Sequence, residues 1–154
     1  ERLGSMRLQT RTLEMRKEPH LILVVGMHRS GTSLLGSILK SLGVAMPGPL
    51  IPGDIHNPEG YCERSDITSL QEELLIDLGH WWPSEAGLQP LPNGWMETPR
   101  AQRAANGLKR LLSDDLPSQT GPSLGNQGSP NLTLLPLWRE VCHELGIPLK
   151  LLLA

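Results

Sequence analysis

Phenylalanine is absent from this 154-residue chain, and Tyr61 with four tryptophans makes up its whole aromatic complement. Glycine and proline, by contrast, supply about a fifth of the residues, against the ~12% usual in globular chains. Together these biases predict plentiful loops and a thinly built core. Cysteine is scarce as well. Cys62 and Cys142 stand 80 positions apart without a C-x-x-C spacing, which argues against a disulfide framework and predicts reduced thiols in a cytoplasmic protein. The histidines and cysteines show no metal-ligand spacing, so zinc is not expected. Neither sign of charge dominates: 14 basic and 16 acidic side chains leave a net charge of -2. No global field then recruits nucleic acid or an anionic membrane, and any anion site has to be local. Long apolar runs are lacking too. The longest, Leu21 to Val25 and Leu151 to Ala154, fall far short of the ~20 residues of a membrane span. With no apolar segment before Leu21, a soluble chain without a secretory signal is predicted. The length suits one domain, taken as residues 19–154 behind an extension over 1–18.

What is present follows an alternating pattern. Leu21 to Val25 reads as a strand buried on both faces. Leu34, Leu35, Ile38, Leu39 and Leu42 then recur at helical spacing up to Gly43. A region dense in proline and glycine runs to Gly60. Beyond it Ser65 or Asp66 caps a second helix with Ile67, Leu70, Leu74 and Leu78 on one face. The stretch "HWWPSEAGLQPLPNGW" reads as a loop whose tryptophans, Trp81, Trp82 and Trp95, close over the core or over an aryl or sugar ligand. Thr98 and Pro99 open a third helix carrying Ala101, Ala104, Ala105, Leu108, Leu111 and Leu112, despite Gly107 in its interior. Residues 117–131, low in apolar side chains and rich in breakers, read as a mobile loop. A fourth helix is predicted over about Leu135 to Leu145, and Leu149 to Leu153 as a second buried strand. Strands separated by helices predict a three-layer α/β fold with a parallel sheet.

The chemistry is concentrated where the first strand turns into the first helix. Gly26, four intervening residues, Gly31, Thr32 and Ser33 fit the frame of a phosphate-binding loop, G-x-x-x-x-G-K-[ST], except that Thr32 stands at the lysine position. Backbone amides at a helix start, aided by the helix dipole, accept a phosphate or sulfate without a metal. A nucleoside triphosphatase needs the lysine as well. The strong cation here is Arg29, whose planar guanidinium can take two anion oxygens at once. Close helix-to-strand packing would explain the glycines and leave Arg29 unexplained.

The segment "GMHRSGTSLL" resembles the 5′-phosphosulfate loop of the P-loop sulfotransferases, most of all its Arg-Ser-Gly-Thr form in the tyrosylprotein sulfotransferases. "NPEGYCE", Asn57 to Glu63, resembles a segment of bacterial sulfotransferase-like proteins. The resemblance implies transfer of a sulfuryl group from 3′-phosphoadenosine 5′-phosphosulfate to an acceptor hydroxyl or amine, on a small molecule or carbohydrate, with no metal. It places Arg29 at the phosphate–sulfate bridge, Ser30, Gly31, Thr32 and Ser33 on the 5′-phosphate, and His28 beside the donor. A base is needed, and the resemblance offers Glu59 and Glu63, with His28 and His56 as the other titratable candidates. Glu63 is preferred. Against that role, "NPEG" is an ordinary β-turn and Glu63 precedes a helix whose dipole favours an acid.

The match is partial. Relatives grip the 3′-phosphate with an arginine and a serine after a later strand, whereas these residues end at Ala154. They also carry a basic "KDPR"-like segment where this chain has "NQGSPN". A fragment, an incompletely resolved chain or a degenerate member is therefore expected. The rival expectations are a noncatalytic nucleotide- or anion-binding domain and a divergent nucleotide kinase.

Overall fold

The computed structural model describes residues 19–27, 29–58, 60–80, 89–115 and 121–154. The fold is α/β. Strand β1 (His20–Val25) lies at the centre of a parallel sheet between β2 (Pro122–Gly128) and β3 (Leu149–Leu153). A single parallel bridge from Ala45 to Ser123 extends the sheet beyond β2. The helices are α1 (Thr32–Ser41), α2 (Ser65–Asp77), α3 (Pro99–Asp115), the short α4 (Ser129–Thr133) and α5 (Leu135–Glu144). Each parallel connection passes through helices, as crossover geometry demands.

β1 is buried because helices cover both its faces. Leu21, Leu23 and Val25 join the larger core with Ile67 of α2, Leu108 of α3 and Trp138 of α5, while Val24 turns to Leu39 of α1 and to Cys62. Gly107 lets α3 approach α2 closely, since a Cβ there would meet Leu70 Cδ1 at 2.5 Å. Trp95, in a 3₁₀ turn (Trp95–Glu97), packs on the larger core, the core alternative of the two open to it. Trp81 and Trp82 lie outside the described residues. Both cysteines are free and buried, and burial pushes the Cys142 thiol up to about 11.

Two expectations need correction. The segment predicted as a mobile loop contains an ordered strand and helix from Pro122 to Thr133. Its buried Asn126 and Asn131 are hydrogen-bonded within the fold rather than solvated, as set out below. β3 forms as expected yet is not buried. It is an outer strand, and Leu151 and Leu153 stay 48% and 77% exposed. α1 forms as expected; its buried residues are Gly36 and Leu39, and Leu34, Ile38 and Leu42 are exposed. Among the described residues, no helix is long and apolar enough to cross a membrane.

Candidate functional site

The turn after β1 is compressed. A Cβ on Gly26 would run into the Ser30 hydroxyl and lie 3.1 Å from both the Ala154 carbonyl oxygen and the Thr32 methyl carbon. The loop therefore folds back across the end of the sheet, closed by the Ser30 amide donating to the Met27 carbonyl at 3.1 Å. Gly26→Ala is expected to cost about 1–3 kcal/mol of stability, the range for forcing atoms into a packed site, measurable by urea denaturation.

Arg29 sits at the crest with φ 63°, a left-handed conformation that costs an L-residue roughly 1–2 kcal/mol. Gly31 follows as the N-cap of α1 and contributes no side-chain cap to the helix. The helix dipole gives this end of α1 positive potential, which favours an anion. Arg29, Gly31, Thr32 and Ser33 form one wall of a cavity of about 630 Å³, within the range of small-molecule sites. Ser30 is not part of that wall, because its hydroxyl lies back over Gly26. His28 and Glu59 lie outside the described residues.

A second part of the lining comes from the segment entering α2. There the Gly60 amide donates to the Asn57 carbonyl at 3.0 Å. Asp54 organises the loop: one carboxylate oxygen accepts from the His56 and Asn57 amides at 2.8 and 2.9 Å, the other from the Tyr61 hydroxyl at 2.8 Å. The Tyr61 bond, followed by the Asn57 amide, holds the Asp54 carboxyl below its usual range. Cys62, at φ 53°, then turns the chain, and the Glu63 carbonyl accepts from the Ile51 amide at 2.7 Å. Among the described residues other than glycine, Arg29 and Cys62 alone have positive φ. One lines the cavity and the other directly precedes Glu63, which also lines it. Backbone strain gathers at functional sites, and here it falls on both parts of the lining.

Glu63 reaches the end of β2, its carboxylate oxygen 3.5 Å from where a Cβ on Gly128 would stand. Burial, and secondly the charge of Glu72, raise its carboxyl to about 7. Glu72 lines the same cavity, as do His56, Tyr61 and Thr68. The raised value makes Glu63 a group able to exchange a proton near neutrality.

It also costs stability. The unfolded carboxyl ionises near 4.5 and the folded one near 7, so between these values the folded state holds the extra proton and stability declines as pH rises. Above about 7 the loss is complete. Glu63→Gln is expected to remove this decline and to be more stable than the parent at pH 8 by on the order of 1–3 kcal/mol, read from denaturant titrations at pH 4 and pH 8.

A ladder of buried amides supports this wall. Asn126 Oδ1 accepts from the Arg64 backbone amide at 3.1 Å, and Asn126 Nδ2 donates to Gln71 Oε1 at 3.2 Å and to Thr68 Oγ1 at 3.4 Å. Gln71 Nε2 donates to Asn131 Oδ1 at 2.8 Å, and Asn131 Nδ2 to the Val24 carbonyl at 3.3 Å. The residue after Glu63 is thereby tied through β2, α2 and α4 to the central strand. Sequence reasoning missed this ladder. Its one signal was Gln71, a polar residue on the apolar face of α2 between Ile67 and Leu74.

No family model, curated protein or solved structure matches this chain.

Proposed function

We propose that the protein is a sulfotransferase, moving a sulfuryl group from 3′-phosphoadenosine 5′-phosphosulfate to a hydroxyl or amine of a small molecule or carbohydrate. One observation carries this reading: a guanidinium, the start of α1 and a carboxyl raised to about 7 line one cavity. The first two suit a phosphate-linked sulfate, and the carboxyl suits removal of a proton from the attacking group. As the S–O bond breaks in an in-line displacement, negative charge gathers on the bridging oxygen. A fixed cation at that place stabilises the transition state more than the ground state. Thr32, Ser33 and the first-turn amides would hold the 5′-phosphate, Arg29 the bridge, and Glu63 would accept the proton.

Isothermal titration of the chain with 3′,5′-adenosine bisphosphate in the presence of EDTA tests the reading. Saturable binding supports it. Binding of ATP or GTP that depends on magnesium, without binding of the bisphosphate, would replace it with a kinase-like activity. Thr32 at the lysine position speaks against that outcome.

A further inference from the structure

We propose that the acceptor is a primary amine, docked as its ammonium against the Glu63 and Glu72 carboxylates in the cavity that Arg29 also lines. This rests on the sulfotransferase reading and narrows it to one acceptor class. The cavity lining carries both signs of charge. Arg29 and the start of α1 bring positive potential, and Glu63, ahead of α2, and Glu72, within it, bring two carboxylates. Thr68 and Glu72 lie one turn apart on the same face of α2, with the Thr68 hydroxyl held by Asn126. The other titratable groups lining the space are His56 and Tyr61. Tyr61 donates its proton to Asp54, so it brings no competing charge to the lining. A neutral alcohol gives the carboxylates no charge to meet. An ammonium forms charge-assisted hydrogen bonds with both and offsets the burial and repulsion that raise Glu63.

Proton stoichiometry points the same way. An alcohol loses one proton when it is sulfated, and one carboxylate suffices. An ammonium, R–NH₃⁺, loses two. The first passes to Glu72, giving R–NH₂, whose lone pair attacks sulfur. The S–O bond to the phosphate breaks, and its electron pair stays on the bridging oxygen beside Arg29. The nitrogen of R–NH₂⁺–SO₃⁻ then gives its second proton to Glu63. The products are the sulfamate R–NH–SO₃⁻ and 3′,5′-adenosine bisphosphate, and the two carboxylic acids return their protons to water. Two carboxylates in the cavity that the donor loop lines match an amine and exceed what a hydroxyl needs.

The test uses the full chain, ³⁵S-labelled donor, and benzylamine and benzyl alcohol as matched acceptors at pH 7. Transfer to benzylamine should exceed transfer to benzyl alcohol by at least about ten-fold. Glu72→Gln should lower the amine rate by about ten-fold or more while leaving affinity for 3′,5′-adenosine bisphosphate within about two-fold. Transfer to the alcohol as fast as or faster than to the amine would overturn the amine assignment and leave the sulfotransferase reading standing. Bound bisphosphate with transfer to neither acceptor would also overturn the assignment. Absence of bisphosphate binding, together with absence of transfer to either, would remove both. An amine rate unchanged in Glu72→Gln would overturn the two-carboxylate docking.

Discussion

On the sulfotransferase reading proposed above, sulfuryl transfer by the Arg29→Ala variant is expected to fall by about 100-fold or more, with the fold intact. The first half follows from where the charge is needed. Arg29 lies at the crest of the loop beside the start of α1, and a preorganised cation that meets charge only as it develops acts chiefly on the transition state. The loss should therefore fall more heavily on kcat than on affinity for 3′,5′-adenosine bisphosphate. The second half follows from exposure. The Arg29 side chain is on the surface and outside both apolar clusters, so its removal opens no cavity in the core. Alanine inherits the left-handed backbone and gains nothing. Arg29→Gly, by contrast, relieves it and should be more stable by up to about 1–2 kcal/mol while equally inactive. Arg29→Lys keeps the charge and loses the planar two-point grip, so its activity should fall between the parent and Arg29→Ala. Steady-state rates with labelled donor and thermal melts of the three variants decide the matter. Wild-type turnover in Arg29→Ala would take Arg29 out of the mechanism.

Much of this wall was legible because its signals are local. A branched apolar run, a glycine, a basic residue, small hydroxylated residues and renewed helical spacing specify strand, turn and helix within about 20 residues, and β1 and α1 form there. Glu63 could be singled out, but its environment could not. Its carboxyl is raised by burial and by Glu72, which depends on packing between segments distant in sequence.

β2 was illegible for a different reason. "PSLGNQG" has almost no β-branched or apolar content, and its pairing with β1 is interrupted by a register shift opposite Ile22 and Leu23. The strand exists because β1 pairs with it and because Asn126, buried at 2% exposure, finds partners on α2 and at Arg64. Such bonds join residues 55 to 62 positions apart, beyond the reach of local propensity. The outward-facing leucines of β3 misled in the opposite sense. Apolar spacing specifies the helix and strand, but not whether anything covers them.

Arg64→Ala is expected to destabilise the fold by about 3–5 kcal/mol, the usual cost of removing one partner from a buried ion pair. Arg64 is only 4% exposed. Its Nε and Nη2 donate to the two Asp66 carboxylate oxygens at 3.0 and 2.7 Å, and its Nη1 donates to Asp115 at the end of α3. The guanidinium also packs on Gly48, where a Cβ would lie within 2.5 Å of Arg64 Nε. One side chain thus joins the 45–50 loop, the start of α2 and the end of α3. Without it, Asp66 and Asp115, 25% and 19% exposed, keep their charge and lose their cation. Water reaches both carboxylates, which favours the lower half of the range. Even that is a large fraction of the roughly 5–15 kcal/mol that holds a domain folded. Burial works to raise the Asp66 carboxyl, but the Arg64 hydrogen bonds and charge outweigh it and bring the carboxyl below its usual range. Stability from that depression is present above the unfolded value of about 3.8 and is lost as pH falls through the lower folded value. The gap between the parent and Arg64→Ala should therefore be widest at neutral pH and narrow below about pH 4. In urea titrations the midpoint should shift without a change in slope. Replacing Arg64, Asp66 and Asp115 together by Met, Asn and Asn should recover much of the loss, since no uncompensated charge then remains. A change below about 1 kcal/mol in Arg64→Ala at pH 7 would mean that the ion pair does not secure this wall, and that the amide ladder through Asn126 holds Glu63 in place without it.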